Sequence, residues 1–225
     1  MGQPWWTNPE WWAAIGTTAA VVVAIFHEAF WSYIRRPKLE VSSSGKRPDC
    51  EKTSFSDKGT GRHVADCYYF RIRVRNSGRQ RAKHVEVFAQ ELTVRRPNGE
   101  FVAVPDFSPM DLLWSNTHGP EVDISPDVEK HCDIGFVVDP GSGWYTFDPR
   151  KGIPPGTVTF TFEVVAKPNH QGHIVGPGTY RLKLLVVAAN AASVQKVLEI
   201  RISGDWLKDE DLMLSDRGVT LRIVQ

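Results

Sequence analysis

The sequence predicts a mainly β chain: one N-terminal transmembrane helix followed by an antiparallel sandwich or barrel of about eight or nine strands. Three observations predict it. The run Trp11 to Ile34 is long and apolar, and its first sixteen residues, to Phe26, carry no charge. The rest of the chain alternates apolar and polar residues in short segments punctuated by Gly, Pro and Asn. No helix-length pattern follows residue 34, which leaves strands to build the core.

The helix comes first. Spanning about 30 Å of hydrocarbon takes about 20 residues at 1.5 Å each. His27 and Glu28 are the polar members, placed about two turns from the basic end, where a charge costs less than at mid-bilayer. Aromatics bracket the span: Trp5, Trp6, Trp11 and Trp12 on one side, Trp31 and Tyr33 on the other. That is the interfacial belt of a spanning helix. A cleaved signal peptide has a basic leader, whereas here no Lys or Arg precedes Arg35. Arg35, Arg36 and Lys38 follow the span, so the N-terminus is expected outside and the domain inside, at the cytoplasmic face of the inner membrane. The anchor flank is thus Trp11, Trp12, Trp31, Arg35 and Arg36. Residues 1–36 form the flank and helix, with the span at about 11–34, and residues 37–225 form the cytosolic β-domain.

Composition bounds the partners. Residues 35–225 hold all 27 Lys and Arg but neither Glu10 nor Glu28, which leaves 24 acids and a formal charge of +3. So mild a balance implies no nucleic acid. The three cysteines, Cys50, Cys67 and Cys132, are too few and too scattered for a disulfide scaffold. No N-glycosylation sequon is present. Both facts suit a reducing compartment.

Along the domain, Lys38–Val41 reads as a short strand, and residues up to 65 as a long hairpin or mobile loop. In residues 67–76 Phe70, Ile72 and Val74 face one way and Arg71, Arg73 and Arg75 the other. Asn76-Ser77-Gly78 signals a turn. His84–Val94 is a strand whose alternation breaks between Val87-Phe88-Ala89 and Leu92, which predicts a β-bulge. Arg96-Pro97-Asn98-Gly99 turns into Phe101–Val104. Residues 106–130 read as irregular, with a helical turn at Met110–Trp114. Strands are expected at Cys132–Val138, Thr157–Ala166, Tyr180–Ala188, Val194–Ser203 and Val219–Val224. Trp144–Phe147 is expected to pair back on Cys132–Val138, and Asp205–Ser215 to form a short acidic helix.

The string FRIRVRNSGRQRAKHVEVFAQEL resembles immunoglobulin-like β-sandwich modules of the bacterial adhesion and CARDB type, on Phe70, Val74, Asn76, Gly78, Ala82 and Val85. The resemblance implies an antiparallel immunoglobulin-like sandwich, with Asn76 and Gly78 in the turn and Ala82 and Val85 in the core. The whole arrangement of Trp-rich helix, Arg-Arg-Pro-Lys-Leu, this segment and GTYRLKLLVVAANA is similar to bacterial single-helix membrane-anchored proteins without assigned activity. A looser likeness joins it to membrane effectors of antiphage signalling, which couple two or more transmembrane helices to a cytosolic β-domain.

Candidate surfaces follow. Arg71, Arg73, Arg75, Arg79, Arg81 and Lys83 lie between Asp66 and Glu86 with no acid among them. This basic hairpin suits anionic lipid, a small anionic ligand or an acidic protein face. The plainer reading is a solvated, charge-protected sheet surface. His170 and His173 share a loop, and His131-Cys132-Asp133 offers three donor types, but neighbours on a strand point to opposite faces, so no metal site is assigned. No nucleophile or phosphate-loop motif is present, so neither a catalytic residue nor a cofactor is assigned. Leu185 and Val187 make the Tyr180 strand apolar on both faces, as in a central or covered strand. Ala13, Gly16, Thr17, Ala20 and Ala24 permit close packing of two anchors and hence a homo-oligomer. The expected function is a non-enzymatic, single-pass module that binds a protein, small anionic ligand or lipid near the membrane. Its rivals are a ligand-gated membrane effector and an enzyme with a loop-built site.

Overall fold

The computed structural model describes residues 9–57, 59–117, 119–142 and 152–224. Helix α1 (Pro9–Ile34) is continuous and ends where Arg35 N bonds Trp31 O at 2.9 Å. It is long and apolar enough to cross a membrane, and none of the span Pro9–His27 is buried against the rest of the chain. Several of its polar side chains bond within the helix. Thr17 and Thr18 hydroxyls donate to the Ala13 and Ala14 carbonyls at 2.9 Å, and the Trp31 indole donates to His27 Nε2 at 2.6 Å. Such internal bonds spare a polar group the cost of facing hydrocarbon alone.

Two antiparallel sheets follow. In the first, β3 (His63–Asn76) is central. Along one edge of it lie β1 (Leu39–Ser42), opposite Arg73–Asn76, and β2 (Cys50–Ser56), opposite His63–Phe70. The two behave as one edge strand interrupted by the loop 43–49. Beyond β3 come β9 (Glu129–Val138), then β10 (Phe160–Phe162) and β11 (Ile174–Val175), with β7 (Leu113–Trp114) also on β9. The second sheet runs β14 (Val219–Ile223), β13 (Ala191–Ile202), β12 (Gly178–Ala188), β4 (Ala82–Arg95) and β5 (Phe101–Ala103). The short strands β6 (Met110–Asp111) and β8 (Glu121–Ile124) share the β5 edge of β4.

Period-two alternation builds the core. Phe70, Ile72 and Val74 from the first sheet and Leu182, Leu184, Val186, Leu198 and Ile200 from the second belong to one fully buried cluster. Trp114 lies within it, and its indole donates to the carbonyls of Val85 and Pro120 at 3.1 and 3.0 Å. The expected bulge is present: Ala89 faces Leu184 and Glu91 faces Lys183, which leaves Gln90 as the extra residue.

Several local expectations change. Met110–Trp114 is not a helical turn but the strands β6 and β7, because Met110, Leu112 and Trp114 are buried while Asp111 is exposed, a period of two. The segment read as irregular also contains β8, and of the two readings for residues up to 65 the hairpin holds, with β2 paired antiparallel to β3. Strand 157–166 shortens to β10, with Val164 bridging Leu112. The acidic helix is the single turn α2 (Glu210–Met213), capped where Asp209 accepts the Leu212 amide. Fourteen strands are seen among the described residues, seven of them of four residues or fewer, which is why the sequence yields a smaller number. The pairing expected of Trp144–Phe147 lies outside the described residues.

Candidate binding surface at the helix exit

β3 and β4 do not form a hairpin. They belong to different sheets, and the turn 77–81 carries the chain across the sandwich end. Each strand turns its apolar set to the shared core from its own sheet, so the two strands stack across that core. The six basic residues are therefore split. Arg71, Arg73 and Arg75 line the outer face of the first sheet, while Arg79, Arg81 and Lys83 sit at the end of the sandwich.

The outer-face arginines are met by acids from neighbouring elements. Arg71 donates to Glu51 Oε1 at 2.6 Å and to Asp133 Oδ1 at 2.9 Å, and lies 5.6 Å from the Tyr69 ring centre. Burial opposes its charge, but the Glu51 and Asp133 hydrogen bonds outweigh that and hold the guanidinium pKa above its ordinary value. Ser115 donates to the same Asp133 oxygen at 2.7 Å. Arg73 lies 3.1 Å from Oδ1 of Asp49, a fully buried carboxylate that also meets His131 at 3.3 Å and accepts the Ser44 amide at 2.6 Å. Arg75 reaches Asp127 at 3.4 Å. The sequence does not show this, because these acids belong to other segments: strand pairing brings Glu51 and Asp133 to β3, and the loops before β2 and before β9 bring Asp49 and Asp127.

The sandwich end is built around Asn76. Its side-chain oxygen accepts the amides of Lys38 and Gly78 at 3.1 and 3.0 Å, and its nitrogen donates to the carbonyls of Gln80 and Ile124 at 2.7 and 3.0 Å. Its backbone pairs with Val128 and Asp127. Through its side chain and backbone together, this one buried residue joins the helix exit, the β3–β4 turn, the end of β8 and the β8–β9 connection. Gly78 packs so closely that a β-carbon there would stand 2.4 Å from Arg36 O and Lys38 N. Ser77 N adds a 2.8 Å bond to Lys38 O. A second asparagine, Asn190, accepts the Lys83 amide and donates to Arg81 O, both at 2.9 Å.

Charge at this end is less compensated than on the sheet face. Lys38 meets Glu40 at 3.0 Å, and Arg81 meets Asp123 at a long 3.8 Å. No carboxylate among the described residues lies within ion-pair distance of Arg79 or Lys83, and both are exposed. Arg35 stacks over Trp31 at 4.9 Å.

Other candidates are placed as follows. Among the described residues no three His, Cys, Asp or Glu side chains gather as a metal site. His170 accepts the Gly172 amide at 3.1 Å, and His173 is buried. Cys50, Cys67 and Cys132 are free thiols, fully buried. Burial pushes the Cys50 and Cys67 thiols up to about 12. A groove of about 700 Å³ is lined by Lys46, Arg47 and the acids 209–211, and within it Arg47 and Glu210 form a paired salt bridge at 2.8–2.9 Å. Leu185 and Val187 are half-buried on the outer face of the second sheet, on a strand flanked by β4 and β13. The central position accounts for their apolar character.

No protein-family model matches the chain, and comparison with curated proteins and with solved structures gives no significant match.

Proposed function

We propose that the chain is a single-pass membrane-anchored binding module that holds its β-sandwich against the inner face of the cytoplasmic membrane. The observation that carries this is the clamp between the helix exit and the sandwich. Four residues, 35–38, separate α1 from β1, and the last three are packed and bonded against the β3–β4 turn. A linker that short and that engaged cannot let the domain drift; a fully extended residue spans only about 3.5 Å. The exposed apolar surface of α1, with Val23 65% and Phe26 71% exposed, supports a lipid environment, since a patch that size in water favours association. The basic residues after the span support an N-terminus outside and a domain inside.

The test is residue accessibility. Single cysteines at Thr7 and Arg62 should respond oppositely to a membrane-impermeant maleimide. Thr7→Cys is expected to label in intact cells and Arg62→Cys only after permeabilisation. The reverse pattern overturns the orientation, and recovery of the chain in the alkaline-carbonate supernatant overturns the anchor.

The same clamp favours a second reading, an effector whose domain drives anchor association when it meets a ligand. A rigid joint transmits reorientation of the domain to the helix, whereas a flexible tether would dissipate it. Ligand-dependent cross-linking through Gly16→Cys in the span separates this reading from a constitutive module.

A further inference from the structure

We propose that the turn 77–83 is a docking site for anionic lipid headgroups, with Arg79 and Lys83 as its main contacts and Arg81 as a third. The proposal rests on reading α1 as a membrane anchor. Position is the first argument. Gly78 abuts the Arg36–Lys38 backbone, so the turn lies only a few residues of chain from the end of the helix. That is within reach of the surface potential of an anionic leaflet, which decays over about 8 Å at physiological ionic strength.

Charge is the second argument. Arg79 and Lys83 are exposed cations with no carboxylate of the described residues at ion-pair distance, while Arg71, Arg73 and Arg75 on the sheet face already hold acids. Three acids beside the turn have partners other than Arg79 and Lys83: Asp123 accepts the His84 amide at 3.1 Å, Glu121 meets the His84 ring at 3.0 Å, and Glu40 accepts the Ser77 hydroxyl at 2.8 Å and meets Lys38 at 3.0 Å. The long Arg81–Asp123 pair is exposed on both sides and opens readily to a phosphate.

Preorganisation is the third. Asn76 fixes the start of the turn and Asn190 fixes its end at Arg81 and Lys83. Headgroup binding then orders side chains alone, which lowers its entropic cost.

The experiment uses the full chain in nanodiscs with a fluorophore on Gln80→Cys; Gln80 is exposed and the native thiols are buried, so the label is selective. Collisional quenching by a headgroup-attached quencher reads contact of the turn with lipid. Quenching is expected to be stronger in phosphatidylglycerol than in phosphatidylcholine and to weaken with added salt. In Arg79→Gln/Lys83→Gln the contact equilibrium should fall about fivefold per cation removed. Arg62→Gln/Arg96→Gln, the same charge change at the far end of the strands, should leave it unchanged. Equal quenching in both lipids, or an equal loss in both double variants, overturns the proposal. So does loss of contact on adding inorganic phosphate beyond that from chloride at equal ionic strength, since the ligand would then be a free phosphate. Failure of the anchor itself reads differently: the wild-type chain would not co-elute with phosphatidylcholine nanodiscs.

Discussion

The side chain of Asn76 accepts the backbone amide of Lys38 at 3.1 Å, across 38 positions of chain, and so ties the exit of the helix to the interior of the sandwich. Asn76 is fully buried, and all of its polar atoms have partners. An Asn76→Ala chain leaves two amides and two carbonyls without that partner. Unmet buried groups cost about 1–3 kcal/mol each, partly relieved by water at this end. The expected loss is about 3 kcal/mol, or roughly 6–12 °C in Tm for a domain of this size. Thermal unfolding checks it, and a shift below about 2 °C would remove Asn76 as the organising residue.

Gly78 should tolerate no side chain. The atoms a β-carbon would meet are backbone atoms of Arg36, Pro37 and Lys38, which cannot rotate away. Gly78→Ala is expected to cost about 1–3 kcal/mol and to loosen the helix exit. Limited trypsin digestion at Arg35 and Lys38 should speed up in the variant while cutting at Arg62 stays constant.

Asp49 and Arg73 form a strongly unequal pair, since Asp49 has 0% side-chain exposure and Arg73 28%. Removing the carboxylate leaves a partly buried guanidinium beside His131. Fully buried pairs cost about 3–5 kcal/mol when broken, and the exposure of Arg73 brings the expectation for Asp49→Asn to about 2 kcal/mol. A double-mutant cycle with Arg73→Gln should show coupling of about 1 kcal/mol in urea unfolding. Strict additivity would mean that the two side chains do not sense each other.

Acid should destabilise the domain through carboxylates that arginines hold below the usual range. Hydrogen bonding from Arg222, then its charge, then Arg181, lowers Glu199; hydrogen bonding from Arg47 lowers Glu210. Each has a folded pKa below its unfolded value of about 4.3, so its contribution is present above that pH and is lost as pH falls through the folded pKa. The urea midpoint should therefore drop below about pH 4.5. Glu199→Gln should flatten that drop. An unchanged pH profile in the variant would show that Glu199 plays no part in it.

The strands with regular alternation were legible because each satisfies its burial locally. Phe70, Ile72 and Val74 against Arg71, Arg73 and Arg75 specify a face without reference to any other segment. The bulge at Gln90 was legible for the same reason, as a break in phase. β6, β7 and β11 were not, since two residues carry no period, and such strands exist only because β4, β9 and β10 offer them an edge.

For the candidate surface the division runs between composition and placement. The sequence alone determined an apolar helix with a basic end, a β-domain behind it, and a cluster of cations between Asp66 and Glu86, because hydropathy, period and local charge are properties of neighbouring residues. Only the tertiary structure decided which cations keep their charge unpaired. Strand pairing brings Asp133 to Arg71, and the loop 43–49 brings Asp49 to Arg73, so the sheet face is neutralised. The crossing of the turn from one sheet to the other instead leaves Arg79 and Lys83 at the helix exit. Electrostatic partners are chosen by distance in space, and that distance is set by how the two sheets stack.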